Sequence, residues 1–166
     1  ECMIHRTAII ERVKDLIRTK GAFESLGLKM LQHGLLRDVP QPDDFDAWLP
    51  AVMIDVSRTI YRDPAAETYP SVVTHQVHEV NVYYARRYPA DEVTKEEDER
   101  GLAELVAIFE NLTWQDRLAE IHDINMVGAL ITEIDYRPAE FGMTEEMLSD
   151  LSVTAIRAQI ELITLG

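Results

Sequence analysis

The sequence predicts an α+β fold: a mostly antiparallel sheet of about four strands with helices packed on one face. Three observations carry this. Residues 4–19 repeat apolar side chains at helical spacing. Two β-branched stretches, 51–62 and 71–88, follow each other across a turn-rich segment. The chain closes on LSVTAIRAQIELIT, residues 151–164, where apolar and polar residues alternate at period two. No internal repeat, low-complexity tract or second-domain boundary divides the 166 residues, so a single domain spanning 1–166 is expected.

Taken in order, the stretch IHRTAIIERVKDLIRT places Ile9, Val13, Leu16 and Ile17 on one helical face, and Gly21 follows as a stop. Residues 22–36, broken by Gly27 and Gly34, read either as a short helix or as a loop over the core. DVPQPDDFDAWLP, with three prolines and four aspartates, reads as a connector without regular structure, and Trp48 is expected to anchor it. AVMIDVSRTIYR (51–62) is a strand, DPAAETYP (63–70) a turn, and SVVTHQVHEVNVYYARRY a long strand with a bulge. The two strands are expected to pair as a hairpin. Thr94 and Glu97 match a T-x-x-E helix start, followed by an apolar stripe of Leu102, Leu105, Val106 and Phe109. Residues 112–123 extend this helix or form a short second one. INMVGALITEIDY (124–136) is a strand, RPAEFG a turn, and Thr144 caps at most two helical turns. In the closing strand Ile156, Ile160 and Leu162 face the helices, while Arg157, Gln159 and Glu161 face outward toward solvent or a neighbour.

Composition narrows the function. Net charge is −14, from 30 acidic and 16 basic residues, which disfavours nucleic acid and anionic membrane surfaces as partners. The charge serves solubility or meets a partner with a basic face. No apolar run is long enough to span a bilayer, and no basic n-region with an apolar h-region marks a signal peptide. Cys2 stands alone, so neither an internal disulfide nor a cysteine metal site is expected. Glu1 and Cys2 precede Met3, where a native start would fall.

No motif carries catalysis, and no cofactor or metal is expected. His75, His78 and Glu79 resemble part of H-E-x-x-H, but position 82 is Val. Residues three apart on a strand point to opposite faces, so both histidines are read as structural. There is no phosphate-binding glycine loop and no nucleophile elbow. One carboxylate set could hold Mg²⁺: Glu96 with Glu99 and Glu120 with Asp123, each pair three apart. It resembles the E-x-x-E…E-x-x-D arrangement of all-α nucleotide pyrophosphohydrolases, but Arg100 replaces the further acid of that pattern, and strands are expected where that fold has helices. Tyr83 and Tyr84 beside Arg86 and Arg87 form the one basic-aromatic cluster, either a solvated strand end or a contact patch.

The order of parts resembles the tail terminator, or tail completion, proteins of long-tailed bacteriophages. The N-terminal helix, LPAVMIDV after an Asp/Pro connector, QVHEVNVYYARRYP before an acidic helix, ITEIDYRP, and SVTAIRAQIELIT carry it. The resemblance implies a non-enzymatic virion protein, assembled in the host cytoplasm, that forms a ring with copies of itself, a hexamer in most members. Such a ring caps the tail tube, stops its polymerisation and presents a surface to the head or neck connector. Candidate interface residues are Tyr83, Arg86, Arg87, Arg157 and Glu161, with the loops at 63–70 and 137–144. Two other readings stand beside it: the Mg²⁺-dependent hydrolase above, and an acidic inhibitor or immunity-type binding protein.

Overall fold

The computed structural model describes residues 6–63, 72–110 and 124–165. Helix α1 (Arg6–Thr19) buries Ile9, Ile10, Val13, Leu16 and Ile17, the stripe that its spacing predicts. Each buried aliphatic side chain stabilises the fold by roughly 1.5–3 kcal/mol. Gly21 ends the helix region at a φ of 78°, a left-handed conformation that costs glycine least. A one-turn helix α2 (Ala22–Ser25) and a short strand β1 (Met30–His33) follow. The connector is more regular than expected. It forms a 3-10 turn at Leu36–Asp38 and a one-turn helix α3 (Phe45–Trp48), and Trp48 is its buried anchor.

Strand β2 (Ala51–Arg62) pairs antiparallel with β3 (Val72–Arg87), so the expected hairpin forms. The irregularity expected in β3 lies at its outer end, between Val72 and Thr74 against the last strand, and β2 carries another between Val56 and Arg58. Helix α4 (Glu92–Glu110) then leads toward β4 (Ile124–Asp135), and the chain ends on β5 (Leu151–Leu165). The cap of α4 differs from the T-x-x-E reading. Asp91 is the cap: its carboxylate accepts the Thr94 backbone N–H at 2.8 Å and the Thr94 hydroxyl at 2.7 Å. Aspartate caps at least as well as threonine and sits earlier, so the helix opens at Glu92. At the other loop Thr144 does cap, its hydroxyl accepting the Met147 N–H at 3.3 Å, although only a 3-10 turn follows.

The sheet has five strands in the order β1-β2-β3-β5-β4, one more than expected. The extra strand is β1, which pairs parallel with the start of β2. Four residues, of which only Leu31 points fully inward, offer no periodicity to read. Strand β5 sits between β3 and β4 and pairs with both, so it is an interior strand of the sheet.

The two faces differ. On the front, α1, α2 and α4 cover Val52, Ile54, Val80, Val82, Ile156, Ile160 and Leu162. Helices were expected on one face; the back face also carries α3 and the 3-10 turns. There Trp48, Leu36, Val39 and Phe141 cover Met53, Tyr83, Ala85, Val153 and Ala155. This cover stops one row further along, at Asp55, Asn81 and Arg157, which sit side by side across β2, β3 and β5.

Gly101 explains how closely α4 meets the sheet. A Cβ there would lie 2.6 Å from the Tyr84 hydroxyl oxygen. That oxygen also accepts a hydrogen bond from Arg86 at 3.0 Å, which hinders its retreat. Gly101→Ala removes a helix penalty of ~0.5–1 kcal/mol but introduces an overpacking cost of ~1–3 kcal/mol. Urea unfolding should therefore show a net loss of ~1–2 kcal/mol. In a Tyr84→Phe background the sign should reverse, and a loss of equal size there would refute this packing account.

Candidate interaction surface

The row where the back cover stops is built around Arg157. Its guanidinium meets Glu133 at 2.9 Å, Asp135 at 2.8 Å and Glu140 at 2.5 Å. It also donates to the Asn81 side-chain oxygen at 2.9 Å. Tyr83 donates its hydroxyl proton to Glu140 at 3.1 Å and closes the network. The register produces this convergence: Arg157 lies opposite Asn81 on β3 and Glu133 on β4. Glu140 comes from the loop after β4.

The electrostatics follow the geometry. Arg157 titrates above the ordinary arginine range, chiefly because of its hydrogen bond to Glu140, against the opposing effect of burial. Burial pushes Glu140 up, but bonds from Arg157, the backbone and Tyr83 outweigh it and hold the carboxyl below its usual range. The backbone N–H of Arg137, then Arg157, lower Asp135. Burial, reinforced by Glu140, raises Tyr83.

Of the five candidate interface residues, the structure joins Tyr83 and Arg157 in this network and leaves the others elsewhere. Tyr83 is fully buried against Phe141, with ring centroids 5.2 Å apart, so a partner cannot reach its ring in the folded chain. Its neighbour in sequence, Tyr84, faces the other way, into the front core. Arg86 is a strut between β3 and α4, paired with Asp98 at 3.2 Å and lying over the Tyr84 ring. Arg87 is exposed; it pairs with Asp46 at 2.8 Å and stacks over Phe45. Glu161 is half-buried, 3.4 Å from His75.

Beside the Arg157 network lies an open groove of about 750 Å³. Arg6, Arg37, Arg58 and Arg157 line it, with Asp55, Glu140, Asn81, Ser57 and Thr59. It is not legible in the sequence, because these arginines come from α1, the 3-10 turn, β2 and β5, and no local pattern links them. One signal was present: the back-face positions run from Met53 to Asp55, Tyr83 to Asn81, and Ala155 to Arg157. Apolar turns to polar at the same row on three strands.

Where β3 ends and β5 begins, exposed Tyr88, Tyr136 and Leu148 surround a small hollow with Met143 and Arg137. The loop at 137–144 contributes Arg137 and Met143 here and Glu140 to the groove. The loop at 63–70 lies outside the described residues except for Asp63.

The two histidines lie on opposite faces, as their spacing predicts. His78 is buried, with Thr59 at 2.9 Å from Nδ1 and Gln76 at 2.9 Å from Nε2. A neutral ring satisfies both if Nε2 donates to Gln76 and Nδ1 accepts the Thr59 hydroxyl. Burial lowers the His78 pKa from 6.5 to about 4. The unfolded chain therefore takes up a proton near pH 6.5 that the folded chain refuses until about pH 4. Stability present above pH 6.5 is withdrawn as pH falls toward 4, by up to ~3 kcal/mol. Denaturant midpoints measured from pH 7 to 4.5 should fall, and His78→Gln should flatten that part of the curve. An unchanged slope in the variant would assign the loss to other groups.

Glu96 and Glu99 are exposed on α4, while Glu120 and Asp123 lie outside the described residues. Ile124–Asp135 and Leu151–Leu165 are strands, where the all-α hydrolase arrangement has helices. No group of three metal-binding side chains occurs among the described residues, and no described helix is long and apolar enough to cross a membrane. A scan of protein-family models and a search of curated proteins return no match for this chain.

Proposed function

We propose that this chain is a subunit of a closed ring that caps a phage tail tube, halts its polymerisation and offers a joining surface to the head or neck. The observation that carries the reading is the half-covered back face of the sheet. Of its polar row, Asn81 and Arg157 are locked into a mutually satisfied network and Asp55 is held by Arg6, an arrangement that fixes a shape rather than poising a reactive group. Among the described residues two surfaces are open for contact, the arginine-lined groove and the aromatic hollow at Tyr88, Tyr136 and Leu148. A ring subunit needs distinct patches for its neighbours, because head-to-tail contacts are not self-complementary. It needs a further patch for the tube, and exposed tyrosines suit such a contact.

The β4 edge of the sheet is a poor joint. Edge strand β4 carries two register irregularities against β5, which blunt an edge against adding another strand. Subunit contact through side chains on the faces is the better fit.

The test is tube growth. Added to the polymerising tube protein of the same virus, the chain should arrest elongation at substoichiometric amounts. Tubes that lengthen at an unaltered rate would refute the reading.

A further inference from the structure

Glu92, Glu96 and Glu99 stand at i, i+4 and i+7 on the exposed side of α4, opposite its buried Leu102, Leu105 and Phe109. Glu92 lies 3.8 Å from Lys95, while Glu96 and Glu99 make no ion pair among the described residues. On the other side of the sheet the groove holds the complementary charge. Arg37 has no carboxylate partner among the described residues. Arg6 and Arg58 are well exposed and each pairs with one carboxylate, Asp55 and Glu79 respectively. Each guanidinium carries five N–H donors, so both keep donors for a further acceptor.

We propose that the Glu92–Glu96–Glu99 stripe of one copy seats in the Arg6–Arg37–Arg58 groove of the next. The proposal rests on the ring reading and gives it a joint. A chain of charge −14 repels its own copies over most of its surface. The groove is lined by four arginines against two carboxylates, Asp55 and Glu140, so it is a place where an acidic face of a copy can approach. Guanidinium forks match carboxylates in geometry as well as charge. The sheet separates the stripe from the groove, so one copy cannot fill its own groove. Two copies related by a two-fold axis cannot exchange both contacts at one interface either. The joint is heterologous and propagates until a ring closes.

Two variants of the full chain test this: Arg37→Glu with Arg58→Gln, and Glu96→Lys with Glu99→Lys. All four residues are on the surface, and circular dichroism with thermal unfolding checks that both variants fold. Mass measurements over a concentration series should show that each variant alone needs at least ~10-fold more protein to assemble than the parent chain, which corresponds to ~1.4 kcal/mol per joint. An equimolar mixture should recover assembly, since each acquires a complementary neighbour, and its rings should contain even numbers of subunits. Variants that assemble like the parent overturn the joint, and so does a mixture that stays dissociated. A parent chain that stays monomeric at its highest soluble concentration overturns it too. Charge-dependent assembly without arrest of tube growth keeps the joint and removes the capping function. Arrest of tube growth that is untouched by both variants does the reverse.

Discussion

Replacing Arg157 by methionine is expected to destabilise the folded chain by about 2–4 kcal/mol at neutral pH. The arginine is the shared partner of Glu133, Asp135 and Glu140 and of the Asn81 side chain. Without it three carboxylates crowd together, and Asn81, itself buried, loses its donor. The loss stays somewhat below that of a sealed ion pair, because Glu133 is 62% and Glu140 41% exposed and water can reach them. The pH dependence identifies the cause. Asp135 and Glu140 have folded-state pKa values below their ordinary ones of 3.8 and 4.5. Their contribution is therefore present above those values and is lost as pH falls through the lowered ones. The gap between parent and Arg157→Met should be widest above pH 4.5 and should narrow in acid. Arg157→Lys should recover part of it, since one ammonium replaces the charge but not the fork. Urea midpoints across pH give both readouts; a gap independent of pH would mean that lost packing dominates.

Trp48→Ala should cost about 3–5 kcal/mol, the range for truncating a buried tryptophan. Trp48 packs among Leu36, Val39, Met53, Tyr83 and Phe141, and its indole N–H donates to the Pro42 carbonyl at 3.2 Å. It fastens residues 34–50 across the back of the sheet, and that segment carries Leu35 and Arg37 to the groove. Amide exchange should rise across residues 34–50 before it rises in β3 or β5. Trp48→Phe should retain more than half of the stability while losing the indole hydrogen bond. Uniform exchange across the sheet in Trp48→Ala would contradict the view that this residue holds the connector in particular.

Long periodic elements could be read from the chain because their pattern outlasts local noise. The α1 stripe, the β2–β3 hairpin, β4 and β5 are all of this kind. Strand β1 was illegible, since four residues cannot display a period and its pairing with β2 is settled by tertiary contact. The start of α4 was misplaced because two plausible caps lie three residues apart, and only the geometry shows Asp91 accepting from Thr94. The site was harder still. Arg157 was placed on the outward face by alternation, but its three carboxylates come from β4 and a loop, and strand order decides which of them it meets. Tyr83 illustrates the converse. Its sequence neighbours Arg86 and Arg87 suggested a surface cluster, whereas its position on the covered half of the back face buries it.

Electron microscopy of the full chain mixed with phage tail tubes is the sharpest test of the proposed ring and cap. The expected result is a closed ring of like subunits, seen end-on with rotational symmetry, seated at one end of each tube and absent from its wall. Single copies scattered along the tube wall, or tubes whose ends carry no added density, would contradict it.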